Sequence, residues 1–285
     1  MQINGFTKIV GLFGDPVDHT LSPVMHNAAF RDLKINYAYL PFHVKKKELH
    51  QALKSLNALG IVGVNLTIPH KVEALKFVDK LDKQAKLIGA VNTIKLDSEK
   101  IKGYNTDGLG FIEALRRECK FVPKQKNVLV LGAGGAARAI CVSLALNKVK
   151  KIIIANRTYG KAKDLAQYIG KRIKCKISYI SLDEKELAKI ACDIDLVVNC
   201  TSVGLNDIHA RILKNSFFKK ALNLKLVYDL IYSKKQTELI RNARKFGIKA
   251  FDGMSMLVCQ GVLSSEIWTG IKPKLKIMKR ALQNK

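Results

Sequence analysis

Apolar runs of strand length alternate with amphipathic runs along the first third of the chain. KIVGLFG (8–14), NYAYLPF (36–42), IVGVNLT (61–67) and AVNTIKL (90–96) are rich in β-branched and aromatic residues and read as strands. SPVMHNAAFRDL (22–33), KKELHQALKSLNAL (46–59) and PHKVEALKFVDKL (69–81) repeat apolar residues at helical spacing and read as the helices between them. That alternation predicts a parallel α/β sheet. A helix, GLGFIEALRREC (108–119), follows Asp107, and a break at 121–126 contains Pro123. Five further strands come next, NVLVLG (127–132), KIIIAN (151–156), KISYI (176–180), DLVVNC (195–200) and KLVYDL (225–230). Helices such as ARAICVSLALN (137–147), GKAKDLAQYIG (160–170) and TELIRNARKFG (237–247) separate them, the pattern of a second, doubly wound sheet. The last stretch, 255–270 and 275–284, reads as two helices with no strand after them, so the simplest packing returns them to the first domain. The expected division is 1–107, 108–250 and 251–285.

Composition leaves this picture intact. A chain of 285 residues, 48% hydrophobic and 26% charged, is long enough for two packed domains. Its six cysteines (119, 141, 175, 192, 200 and 259) form no CxxC pair, which argues against a disulfide framework or zinc site and for reduced, mostly buried thiols. The N-terminal apolar run is too short for a membrane span and has no export signal pattern, so a cytoplasmic protein without membrane attachment is expected. His26 and His70 have no second ligand at useful spacing, and no metal is assigned.

Charge adds a question. The net charge is +27, and residues 108–250 carry 29 Lys and Arg against 11 Asp and Glu. A basic chain can signal nucleic-acid binding. Here the basic residues are dispersed over polar faces and strand ends, without interleaved aromatics or a DNA-binding motif. A lysine-rich background is the reading adopted, with no specific nucleic-acid partner, although such a field also favours an anionic cofactor.

The second sheet opens with NVLVLGAGGAARA. Gly132, Gly134 and Ala137 give G-x-G-x-x-A between a strand and a helix, the context in which a Rossmann domain binds a dinucleotide. Gly135 adds backbone access. At the end of the next strand, where an NAD site places an acid for the ribose, the chain reads ANRTYGKAK. Asn156, Arg157 and Thr158, with Lys161 and Lys163 behind, suit the 2′-phosphate of NADP, the alternative being an ordinary basic turn.

In NLTIPHK (65–71), Pro69 is well placed to begin a helix, which puts Lys71 in a first turn whose dipole favours negative charge. Two readings stand: a side chain bent into water, or a lysine placed to trade a proton. Asp107 at the start of a helix is open to the same doubt, since an acid there can simply cap it, and Asn92 can be a turn residue.

HTLSPVMHN, NLTIPHK, GAVNT, GYNTDG, GAGGAA, NRT, DLIY and GMSMLVCQ occur in this order over nearly the whole chain, and together they resemble the shikimate dehydrogenase family. The resemblance implies NADPH-dependent, reversible reduction of 3-dehydroshikimate to shikimate on the route to chorismate and the aromatic amino acids. It places substrate contacts at Thr20, Ser22, Asn65, Thr67, Asn92, Tyr232 and Gln260. Lys71 and Asp107 fall on the catalytic positions. Cofactor contacts fall on Gly132, Ala133, Gly134, Gly135 and Ala136, on Asn156, Arg157 and Thr158, and on Leu230 and Gly253 beside the nicotinamide. Thr20, Lys234 and Ser255 depart from the serine, proline and glycine common in the family. The implied arrangement is a substrate-binding domain and a Rossmann domain with a cleft that closes on substrate, in a monomer or homodimer. A quinate/shikimate dehydrogenase of broader specificity is the alternative within the same motifs.

Overall fold

The computed structural model describes residues 3–233 and 235–283, in two compact units. Lys234 lies outside the described residues. The first unit, 1–111 with 257–285, contains β1 (Lys8–Gly14), α1 (Ser22–Asp32), β2 (Tyr37–His43), α2 (Leu49–Ala58), β3 (Ile61–Leu66), α3 (His70–Glu73), β4 (Lys80–Leu81), α4 (Lys83–Ile88), β5 (Thr93–Asp97), β6 (Lys100–Tyr104) and the start of α5 (Asp107–Arg117). Its sheet has the order β2-β1-β3-β5-β6-β4. Side chains alternate across it, as a strand's period of two requires. Val10 and Leu12 of β1 face Phe30 of α1 and Trp268 of the C-terminal segment. Phe13, Val64 and Ile94 face Leu49, Leu53 and Leu56 of α2 on the other side.

Several expectations for this unit fail. The helix over 69–81 ends early: α3 has four residues, a 3₁₀ turn spans Ala74–Lys76, and the chain then extends into β4. Asp79 directs that change, since its carboxylate accepts from Ile101 N at 2.6 Å and its own N–H donates to Ile101 O, pinning the chain to β6. Pro69 is the residue before α3 rather than its first. The sheet is also mixed, because β5 runs antiparallel to β3 and β6 antiparallel to β5. The strand expected over 90–96 begins at Thr93, and the β5–β6 turn is made by Ser98 and Glu99, both at positive φ (46° and 69°). Turns of that hand are usually announced by Asn-Gly or Asp-Gly, so this hairpin carried no signal. Finally, α4 escaped notice because six residues show little periodicity, although Asp82 caps it (Ala85 N to Oδ1, 2.7 Å) and Gly89, φ 68°, ends it.

The second unit, 112–256, contains β7 (Asn127–Leu131), α6 (Gly135–Leu146), β8 (Lys151–Asn156), α7 (Tyr159–Gly170), β9 (Ile177–Ser181), α8 (Glu184–Ile190), β10 (Leu196–Asn199), α9 (Asn215–Lys220), β11 (Leu226–Asp229), α10 (Glu238–Lys245) and β12 (Lys249–Phe251). Its sheet is parallel throughout, in the order β12-β11-β10-β7-β8-β9, with one strand more than expected because β12 is only three residues long. The order reverses between β7 and β10, which places a crevice beyond their carboxyl ends. Helix α11 (Met254–Thr269) and helix α12 (Leu275–Gln283) close the chain, and from Leu257 onward they belong to the first unit. The units divide at Phe111/Ile112 and Met256/Leu257, inside α5 and α11, instead of at 107/108 and 250/251. A helix carries no sequence mark at the residue where its packing partner changes.

Among the described residues no helix is long and apolar enough to cross a membrane. All six cysteines are free thiols: Cys119, Cys141 and Cys259 are buried, Cys175 and Cys200 half-buried and Cys192 exposed, so fewer are buried than expected.

Candidate active site

In the first unit, β3, the segment before β5, α5 and α11 bring polar side chains together inside an otherwise apolar core. Lys71, the second residue of α3, does not bend into water. Its Nζ donates to Asp107 Oδ2 at 2.6 Å, with the two side chains 17% and 5% exposed. Asp107 opens α5, but its carboxylate is spent on side chains: Oδ2 on Lys71 and Oδ1 on Asn92 Nδ2, 2.9 Å away. Two charges largely out of water are costly unless each finds its partner, and here each does.

Asn92 connects the pair to the rest. Its Nδ2 donates to Thr106 Oγ1 (2.8 Å), with Gln260 Oε1 at 3.4 Å, and its Oδ1 accepts from Thr106 N (2.8 Å) and Thr93 Oγ1 (3.0 Å). Asn65 Oδ1 accepts from Tyr39 Oη, and its Nδ2 faces Asn92 O, Thr93 Oγ1 and Ser264 Oγ. Gln260 Nε2 donates to Leu257 O at 2.7 Å. Lys71, Asp107, Asn92, Asn65 and Gln260 therefore form one network.

Thr20, Ser22 and Thr67 share no hydrogen bond with that network among the described residues. Thr20 Oγ1 accepts from Ser22 N at 3.2 Å, shaping the turn into α1, and Ser22 is the first residue of that helix. Thr67 follows β3 and its carbonyl accepts from His70 N. Tyr232 lies in the second unit, after β11, and is half-buried. Both histidines weighed above bond to the protein itself. His26 is buried, stacked on Tyr39 and bonded to Ser265 Oγ, and burial holds its imidazole down to about 3. His70 Nε2 donates to Val44 O at 2.7 Å.

Three buried hydroxyls were missed: Thr93, Thr106 and Ser264. Two adjoin residues that were noticed, in GAVNT and GYNTDG, and Ser264 stands one helical turn beyond Gln260. The i, i+4 spacing was the available signal.

In the second unit the glycine loop has the geometry a dinucleotide needs. Gly132 has φ 106°, and an added Cβ would sit 3.1–3.2 Å from Thr201 and Cys200 at the end of β10. Gly134 precedes α6 and a Cβ there would meet nothing within 4 Å, so the helix N-terminus faces open space. Ala133, Gly135 and Ala136 are half-buried along the same loop, and Ala137 is fully buried against the sheet. Backbone N–H groups at such a terminus favour a phosphate. Asn156 ends β8 and its Nδ2 donates to Thr158 O at 2.9 Å, a turn that leaves the Arg157 side chain exposed.

Leu230 and Gly253 meet directly: a Cβ on Gly253 would lie 2.0 Å from Leu230 O, and Gly253 N donates to Ile231 O. Asp229, also missed as a residue in its own right, anchors this place. It accepts from Asn199 Nδ2 (2.9 Å), Ile231 N (3.1 Å) and Thr237 Oγ1 (2.7 Å), and burial pushes its carboxyl up to about 6 against the pull of those donors.

Comparison with known proteins gives the family. Residues 12–94 match the shikimate dehydrogenase substrate binding domain, 116–242 the shikimate / quinate 5-dehydrogenase model, and 253–283 the shikimate 5′-dehydrogenase C-terminal domain. A shikimate dehydrogenase (NADP(+)) of Methanocaldococcus jannaschii is 43% identical, over 100% of this chain and 99% of the relative. A crystal structure of a shikimate dehydrogenase in complex with NADP+ is similar with TM-score 0.88 and 41% identity, over 99% of this chain and 97% of the other. The shikimate 5-dehydrogenase of Thermus thermophilus, in complex with NADP(H) and shikimate, has TM-score 0.86 and 33% identity, over 98% and 99%.

Proposed function

The chain belongs to the shikimate dehydrogenase family, and from that premise we propose that it catalyses the reversible, NADPH-dependent reduction of 3-dehydroshikimate to shikimate. The observation that carries the reading is the Lys71–Asp107 pair, buried and tied to Asn92 in the domain that matches the substrate-binding model.

NADPH, when bound, would supply a hydride to the C3 carbonyl carbon of the substrate. The chain supplies the proton and the geometry. Lys71 Nζ gives a proton to the C3 oxygen in reduction and recovers it in oxidation, the work of a positioned general acid and base. Asp107 accepts a hydrogen bond from the same hydroxyl and keeps the ammonium in line, while its own orientation is set by Asn92. Thr20 and Ser22 offer hydroxyls to the substrate carboxylate. Thr67 and Gln260 serve the ring oxygens, Asn65 reaches them by giving up one internal acceptor, and Asn92, whose two amide hydrogens go to Thr106 and Asp107, acts through Asp107. The open backbone at Gly134 accommodates the pyrophosphate, and the exposed Arg157 suits a 2′-phosphate and so NADP. The reading is of a cytoplasmic enzyme, in keeping with its free thiols.

The family model for 116–242 is described as covering shikimate and quinate enzymes, so quinate is the second substrate to test. Nicotinamide absorbance with shikimate or quinate, each with NADP or NAD, decides. Fast turnover only with shikimate and NADP is expected. Equal rates with quinate select the broader enzyme, and no rate with any pairing removes the proposal.

A further inference from the structure

Thr93, Thr106 and Ser264 are buried hydroxyls, 0%, 3% and 0% exposed. They lie between the two ends of the Asn92 amide. Asn92 Nδ2 donates to Thr106 Oγ1 at 2.8 Å, Thr106 Oγ1 lies 3.2 Å from Ser264 Oγ, Ser264 Oγ lies 2.8 Å from Thr93 Oγ1, and Thr93 Oγ1 donates to Asn92 Oδ1 at 3.0 Å. Each hydroxyl has one proton, and the shortest contact open to each sets one direction round the ring, Thr106 Oγ1 lying closer to Ser264 Oγ (3.2 Å) than to Gln260 Oε1 (3.5 Å). Thr93 spends its proton on Asn92, hence Ser264 donates to Thr93, and Thr106 donates to Ser264. Ser264 also lies 3.1 Å from Gln260 O, a longer contact than the 2.8 Å to Thr93. The result is a closed ring running one way, from the amide nitrogen through three hydroxyls to the amide oxygen.

The second hydrogen of Asn92 Nδ2 goes to Asp107 Oδ1. A reversed amide would turn its oxygen toward a carboxylate. We propose that Ser264 is a positioning residue for the reaction: it closes a hydroxyl ring that locks the Asn92 amide with Nδ2 toward Asp107, and so holds the carboxylate that aligns Lys71. Ser264 touches neither member of the ion pair, and the inference rests on the role proposed above for Lys71 and Asp107. Rings of this kind are sensitive to one missing member, because a buried donor or acceptor left unpaired costs more than a made bond contributes.

The test is a kinetic cycle on wild type, Ser264→Ala, Asn92→Ala and the double variant, with shikimate and NADP saturating. Ser264→Ala is expected to lower kcat by about tenfold, the order of one lost buried hydrogen bond, with the KM for NADP within roughly twofold. In the Asn92→Ala background the same change should cost less than about twofold, since residues acting through one another do not add. Ser264→Cys, which keeps a weak donor, should recover part of the loss. Thr106→Val breaks the ring at another member without changing side-chain volume and carries the same cycle if thermal unfolding shows Ser264→Ala to be misfolded. Wild-type kcat in the folded ring variants, or an equal loss in both backgrounds, overturns the proposal. A wild-type protein without shikimate turnover refutes the functional reading first, and this inference with it.

Discussion

Arg157 and Lys71 are both cations at the margin of an element, yet their surroundings assign them opposite work. Arg157 is exposed in a turn that no carboxylate shares by any ion pair among the described residues, so its guanidinium is available to a ligand. A charge-assisted hydrogen bond of about 1.5–3 kcal/mol lost to Arg157→Ala should raise the NADP Michaelis constant by roughly one to two decades. NAD kinetics should barely move, and equal damage to both coenzymes, read from initial rates, would make Arg157 structural. Lys71 is committed inside the protein. NLTIPHK alone left two readings of Lys71 open, and only the resemblance to the family put it among the catalytic positions. The hydroxyls behind Asn92 were not legible, because Thr93, Thr106 and Ser264 belong to three elements whose meeting only the fold determines.

Elements place these residues through glycines and one buried acid. Gly134→Ala adds a methyl to open space, so the thermal midpoint should stay within about 2 °C, while the NADP Michaelis constant rises as the methyl meets the phosphates. A large fall in the midpoint would show that the loop has no free approach there. Asp229 joins the ends of β10 and β11 to Thr237, the residue that caps α10. Its folded carboxyl is raised from 3.8 to about 6, so the folded state binds the extra proton. The stability linked to Asp229 is then complete below about pH 4 and falls as pH rises through about 6, by on the order of 3 kcal/mol. Urea unfolding of wild type and Asp229→Asn at pH 4.5 and pH 7.5 measures it. The advantage of wild type over the variant should shrink at the higher pH, and an unchanged or growing advantage contradicts the buried-acid account. Long elements with clear periodicity were legible in sequence, as for α7 and β8. The short ones were not: the end of α3 and the start of β4 were set by the tertiary bonds of Asp79, against which local pattern has little weight, and α4 and β12 are too short to show periodicity.

At the scale of the whole molecule, two units of different sheet order divide the chemistry. One holds the Lys71–Asp107 ion pair and its amide and hydroxyl support, and the other holds the glycine loop and Arg157. The net charge of +27 belongs to the molecule as a whole. Taken as background, it should give only weak binding to random duplex DNA, lost by about 0.2 M salt because counterion release is its sole source. Fluorescence anisotropy that finds tight, sequence-selective binding at that salt would give the charge a function. Both units matter only if this chain interconverts 3-dehydroshikimate and shikimate through Lys71 and Asp107, as proposed above. The most direct measurement is turnover of Lys71→Ala, Asp107→Asn and their double variant with shikimate and NADP saturating. Each single variant should lose about 10² to 10⁴ in kcat with a smaller change in the shikimate Michaelis constant, and the double should be little worse than the worse single. A Lys71→Ala enzyme within about threefold of wild type would contradict the account.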